Sequence, residues 1–225
     1  MATSSTRIVR FDRLKLKGND AAVVVKLMMA CNDLSLANQA LEDWKRTTER
    51  DRRDRKVGAG MYFVRLELSH LYEALDIIKE VEATPTLRAL VDQCDLRTRE
   101  SYAEVLAYTY GKAKYERFQQ LVGGMRSSLT FHYETNGRMI RWAIADRAQR
   151  NDGKVSTITR GDTAQRWRFA VADDVVDSIV VRQFWKIPRD ADLREEADKI
   201  ADEVHAVLVR FADFCGEFIW KFCAE

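Results

Sequence analysis

Residues 61–81 read Met61-Tyr62-Phe63-Val64-Arg65-Leu66-Glu67-Leu68-Ser69-His70-Leu71-Tyr72-Glu73-Ala74-Leu75-Asp76-Ile77-Ile78-Lys79-Glu80-Val81. Phe63, Leu66, Leu68, Leu71, Leu75 and Ile78 recur at helical spacing, and neither glycine nor proline interrupts them. The stretch predicts a core helix. It also sets the expectation for the rest, because the 225 residues include only two prolines, Pro85 and Pro188, and ten glycines. Long helix-compatible runs result. The chain is long enough to bury a substantial core, and no internal repeat or low-complexity tract divides it. The fold class predicted is all-α, in a single domain.

Towards the amino terminus, Asp20 can cap a helix carrying Ala22, Val25, Leu27, Met28, Cys31, Leu34, Leu36 and Leu41 and ending near Trp44. Residues 1–19 are expected to form a flexible arm with a short extended piece over Arg7 to Leu16, ahead of a helical domain at 20–225. The mixed charges from Arg46 to Lys56 read as a solvated helix end. Towards the carboxy terminus, Thr84-Pro85 starts a short helix running to about Cys94, with threonine as cap and proline in the first turn. A single helix is expected over Thr98–Val122, with an aromatic stripe from Tyr102 to Phe118 and Gly111 as its weak point. Gly123-Gly124 should end or bend it, since glycine favours the left-handed turn that closes a helix. A short helix follows from about Arg126 to Asn136-Gly137, then another over Arg138–Arg150. Residues 154–163 read as a polar loop and Ala164–Trp185 as a helix with a β-branched run. Pro188 breaks that helix. Asp190 or Asp192 caps a closing amphipathic helix that ends at Cys223.

The net charge is only +2, so any surface that attracts nucleic acid must be local. No apolar run has signal-peptide length or the roughly 18 residues of a membrane span. A cytoplasmic protein with no membrane partner is expected. Cys31, Cys94, Cys215 and Cys223 form no C-x-x-C pair and are read as buried thiols. Glu67-x-x-His70 and Asp202-x-x-His205 each set a carboxylate and an imidazole on one helix face, as paired Glu-x-x-His motifs do in a di-iron bundle. A carboxylate–histidine metal protein is therefore an alternative, weakened because one carboxylate is Asp and no further glutamates are obviously placed.

The chemistry-bearing stretch is Gly123-Gly124-Met125-Arg126-Ser127-Ser128-Leu129-Thr130-Phe131-His132-Tyr133-Glu134-Thr135-Asn136-Gly137, in a chain with three histidines. Arginine can neutralise a phosphate, and histidine moves a proton near neutral pH. Spacing alone carries little, because Arg65-Leu66-Glu67-Leu68-Ser69-His70 is a second match of the same kind. The setting favours the later one. Arg126 follows a glycine break in the first turn of an expected helix, where free backbone N–H groups favour an anion. His132 lies between Phe131 and Tyr133.

The string Met125 to Tyr133 resembles the Arg-x(4–6)-His motif of HEPN-type all-helical proteins, particularly the abortive-infection branch. Ser127 stands where Asn, Asp or His is more usual there and keeps a hydroxyl. The resemblance implies a HEPN-like helical bundle with additional helices. It also implies a metal-independent endoribonuclease of a toxin–antitoxin or phage-defence system, with RNA as substrate, an antitoxin as a further partner and no cofactor. His132 would be general base or acid and Arg126 the phosphate clamp. Some members of the superfamily are not catalytic, so the alternative is a helical module that binds protein or RNA. Ser127, Tyr133, Arg138 and Arg141 are candidate substrate-binding residues. Arg147 can share a helix side with Arg138 and Arg141, and Trp142 lies nearby.

Positions six apart on a straight helix differ by about 120° around the axis and about 9 Å along it, so Arg126 and His132 of one chain converge poorly on one phosphate. The family's solution is a homodimer that faces two motifs into one composite site. Sedimentation of the purified protein is expected to give a dimer, and a monomer fully active on RNA would overturn that expectation.

Overall fold

The computed structural model describes residues 5–46, 59–123, 125, 136–149, 155–160, 162 and 168–224. Its helices are α1 (Phe11–Leu16), α2 (Gly18–Arg46), α3 (Ala59–Ala83), α4 (Pro85–Asp92), α5 (Leu96–Leu106), α6 (Tyr115–Phe118), α7 (Arg138–Gln149), α8 (Ala170–Ile179) and α9 (Leu193–Phe222). Two π-helical segments, Gln119–Gly123 and Val180–Phe184, extend α6 and α8. The fold is all-α. Its one β feature among the described residues is a two-residue antiparallel pair, β1 (Ile158–Thr159) with β2 (Arg168–Phe169).

Three long helices, α2, α3 and α9, make the frame. Polar pairs across α2 and α3 join Asp20 to Thr86 just beyond α3, Lys26 to Glu80, and Asp33 to His70. Residue number falls on one side as it rises on the other, so the two helices are antiparallel. The same holds for α9 against α5, where Arg97 meets Asp213 and Glu104 meets Arg210, and for Arg117 of α6 with Glu203. Exposed pairs of this kind contribute at most about 1 kcal/mol each. The apolar stripes supply the driving force. Leu68, Leu71, Ala74, Leu75 and Ile78 of α3 are buried against Val24, Leu27 and Leu34 of α2, and α9 adds Phe211, Phe214 and Phe218, all fully buried. Phe214 stacks on Phe218 and tilts against Tyr102 of α5, at ring-centroid distances of 5.0 and 4.9 Å. Burying one such side chain stabilises by roughly 1.5–3 kcal/mol.

Several expected boundaries moved. Residues 11–16 are helical rather than extended, and the segment is tied down at the end of α9. Arg7 donates to the Trp220 carbonyl and covers its ring at 4.0 Å, while Lys17 donates to the Phe222 carbonyl at 3.0 Å. Thr84 does not cap α4 with its side chain. Its hydroxyl donates back to the Glu80 carbonyl at 2.7 Å, closing α3 instead. The helix expected over Thr98–Val122 is broken after Leu106 by turns through Gly111, whose φ of +77° excludes a helical continuation. It starts earlier than expected, where Asp95 accepts from the Thr98 amide at 2.7 Å. Gly123 adopts no left-handed turn; the helix widens into a π turn there. The helix expected from Ala164 begins at Ala170, because Arg168 and Phe169 pair with β1. Asp192 caps α9, accepting from the Glu195 amide at 3.2 Å. Two residues beyond the second π segment, Lys186 is left-handed (φ +54°), and the Arg182 guanidinium bridges the Ile187 and Pro188 carbonyls at 2.6 Å.

Phe214→Ala removes a ring shared by α9 and α5 and should cost about 3–5 kcal/mol, whereas Asp95→Ala should cost about 1 kcal/mol through the lost cap. Urea unfolding of the two variants checks the ranking.

Candidate functional site

Gln119–Gly123 continues α6 and leads towards the Arg126–His132 stretch. It packs against α3 and against the other π segment. Val122 and Met125 are fully buried, so the chain enters the stretch from a fixed anchor. π turns of this kind recur at functional sites because the extra residue per turn re-aims the side chains around it. On the far side the chain emerges at Asn136-Gly137. Gly137 has φ +61°, and the Asn136 side chain accepts from the Arg138 amide at 2.9 Å, starting α7.

Of the residues singled out in the sequence, Arg126, Ser127, His132 and Tyr133 lie outside the described residues. Arg138 and Arg141 lie in the first turn of α7, both exposed. Arg141 donates to the Asn136 carbonyl at 2.8 Å. The Arg138 guanidinium has no hydrogen-bond or ion-pair partner among the described residues. Trp142 is partly exposed rather than core, and Ile144 beside it is exposed. Arg147 does not join them. It is a brace between α7 and α8, donating to Ser178 Oγ at 2.8 Å and to the Asp174 carbonyl at 3.0 Å. Its chain neighbour, buried Asp146, is paired with Arg189.

Behind this face lies a group that the motif did not announce. Asp177 of α8 is partly buried, and its Oδ1 has no hydrogen-bond donor. Loss of solvent is the largest cause pushing its carboxyl up to about 6; Asp173 and Asp174 add to it, while Arg147 and Arg65 pull the other way. The rest of the cluster is anchored: Ser156 donates to Asp174, and Ser178 donates to the Asp174 carbonyl at 3.0 Å. A carboxyl that is part neutral and part ionised near neutral pH can accept or give a proton. The signal available in the sequence was three aspartates, 173, 174 and 177, inside a helix otherwise made of valine, alanine, isoleucine and one serine.

The second Arg-to-His match does not converge. Arg65 is directed towards Tyr62 and Asp177, whereas His70 Nδ1 stands 3.9 Å from Asp33 on α2. Nor do the carboxylate–histidine pairs gather. Glu67 is buried, which raises its pKa, with Lys45 opposing and Glu42 adding to the shift. His205 on α9 is near enough to Glu42 to affect its charge. Among the described residues no group of three or more His, Cys, Asp or Glu is placed to hold a metal ion, and no helix is long and apolar enough to cross a membrane. Comparison with protein-family models, curated proteins and solved structures finds no match to this chain.

The Asp177 carboxyl binds its proton more tightly in the folded chain than at the ordinary value of 3.8. Its contribution is therefore neutral below that value and becomes unfavourable as pH rises towards about 6. Asp177→Asn should gain stability over the natural chain at about pH 8 and lose that advantage by about pH 4. Denaturation of both proteins across this range tests it, and equal gains at both ends would assign the effect to something other than the charge.

Proposed function

We propose that this chain is a HEPN-like, metal-independent endoribonuclease of a toxin–antitoxin or phage-defence system, acting in the cytoplasm as a homodimer. The observation that carries the reading is the string Met125-Arg126-Ser127-Ser128-Leu129-Thr130-Phe131-His132-Tyr133. It is supported by an all-α bundle, by the buried Met125 that begins the string, and by exposed Arg138 and Arg141 just beyond it.

RNA carries its own nucleophile. Attack of a 2′-OH on the adjacent phosphorus needs a base for the hydroxyl proton, charge stabilisation on the five-coordinate phosphate, and an acid for the departing 5′ oxygen. In the proposed composite site, His132 exchanges the proton and Arg126 offsets the growing negative charge. Arg138 and Arg141 hold phosphates of the leaving strand, Tyr133 and Trp142 offer faces for stacking, and Ser127 donates a hydroxyl to a phosphate oxygen. An antitoxin protein would cover the same face.

A non-catalytic binding module is the second reading, favoured by exposed Trp142 and Ile144 on α7. Partner-binding surfaces are enriched in such aromatic groups.

His132→Ala should lower RNA cleavage by at least about 10²-fold while leaving RNA binding and dimerisation in place. Arg138→Ala and Arg141→Ala should each weaken binding across sequences and reduce the slope of log affinity against log salt by about 1. A natural chain that binds a panel of RNAs and leaves all of them intact establishes the binding module instead.

A further inference from the structure

Helices α2 and α9 run antiparallel in a register that can be followed along their length. Lys17, just before α2, meets Phe222, and Glu42 senses His205. Midway, the Cys31 and Cys215 thiols come near enough for each to act on the other's proton affinity. The two sulfurs come from helices far apart in the chain and lie in different environments. Cys215 is fully buried in the core, whereas Cys31 is partly exposed. Cys31 also lines a groove of about 430 Å³ between the helices, with Met28, Ser35, Leu208, Ala212 and Gly216 around it. A Cβ placed on Gly216 would meet nothing within 4 Å, so the groove is open beside the thiol pair.

We propose that Cys31 and Cys215 are a redox-modification site, forming a reversible disulfide between α2 and α9 in response to a peroxide. Cys31 is the attacking sulfur because the groove reaches it. The neighbouring Cys215 thiol favours the Cys31 thiolate, while burial above all, and Cys31 after it, holds the proton on Cys215. The Cys31 thiolate attacks one peroxide oxygen, the O–O bond breaks, and the departing hydroxide takes up a proton to leave as water. Cys31 is then a sulfenic acid. The Cys215 sulfur attacks the Cys31 sulfur, the S–O bond breaks, and the Cys215 proton leaves with hydroxide as a second water. Overall, two thiols and one hydrogen peroxide give one disulfide and two waters. A dithiol reductant reverses the bond by exchange.

The other cysteines are placed differently. Cys94 donates to the Leu90 carbonyl at 3.4 Å, and burial pushes its thiol up. Cys223 lies at the far end of α9 against the amino-terminal segment.

The test treats the folded, full-length, reduced protein with hydrogen peroxide, alkylates it, and maps its peptides. The expected result is loss of two of the four thiols, a mass decrease of two hydrogens, a peptide joining Cys31 to Cys215, and recovery of all thiols with a dithiol. In Cys215→Ser the oxidation should stop at a Cys31 sulfenic acid that a 1,3-dione traps, and in Cys31→Ser neither product should form. Cys31 remaining fully alkylatable after peroxide would overturn the proposal. So would a linkage that uses Cys94 or Cys223, or one that appears only in denaturant. The map of the natural chain decides the matter even where a serine variant fails to fold.

Discussion

The helical frame depends on the burial of the α9 stripe of Phe211, Phe214 and Phe218, packed chiefly against α5 and also against α2. Neither α2 nor α5 could bury its own apolar face alone, since most helical stability in proteins comes from packing rather than propensity. The stripe supplies one continuous surface for both. Ion pairs such as Arg97 with Asp213 and Arg117 with Glu203 flank it and fix which residues face each other. They lie near the surface, so they specify register more than they stabilise.

A different arrangement holds the face around the motif. There the contacts are polar and partly buried: Arg147 with Ser178 and Asp174, Asp146 with Arg189, Arg182 with two carbonyls. Such networks are directional, so they can position a backbone that apolar packing would leave free to slide. The two π segments lie within this region and pack on each other. Each wide turn leaves the backbone one residue out of α-helical phase, and Lys186 shows the consequence just beyond the second. A left-handed lysine costs roughly 1 kcal/mol or more, and the Arg182 bridges and the Ile187 amide on the Val181 carbonyl offset it.

How much of this was legible follows from where the information lay. The long helices were readable because Leu68, Leu71, Leu75 and Ile78 repeat at the helix period, and that period survives any tertiary context. The break after Leu106 was not, because Tyr108, Tyr110 and Tyr115 continue an apolar pattern through turns; only Gly111 marked it. The Ala170 start was hidden because a strand pair of two residues leaves almost no alternation to read. Of the proposed site, the arginine–histidine string could be seen as a pattern, but Asp177 could not. Its raised proton affinity comes from burial, with Asp173 and Asp174 adding to it and Arg147 and Arg65 opposing it from other helices, and that balance exists only once α3, α7 and α8 are assembled. Arg147 was expected to share a helix side with Arg138 and Arg141, yet nine residues at about 100° each turn it to the side opposite Arg138, where it braces α8.

The groove between α2 and α9 presents the reverse case, a place where better packing was available and is absent. Gly216 lies inside a helix, where glycine costs about 0.8–1 kcal/mol relative to alanine. No neighbour demands it, since an added Cβ would meet nothing within 4 Å. Its φ is not left-handed either. Neither steric reason for glycine applies, so what the residue supplies is the open space itself. Ser35 and Ala212 keep the walls short in the same way. Larger side chains at these positions would seal the two helices together and place Cys31 out of reach of solvent, as Cys215 already is. The small residues thus divide the thiol pair into one sulfur that meets the outside and one that meets only its partner.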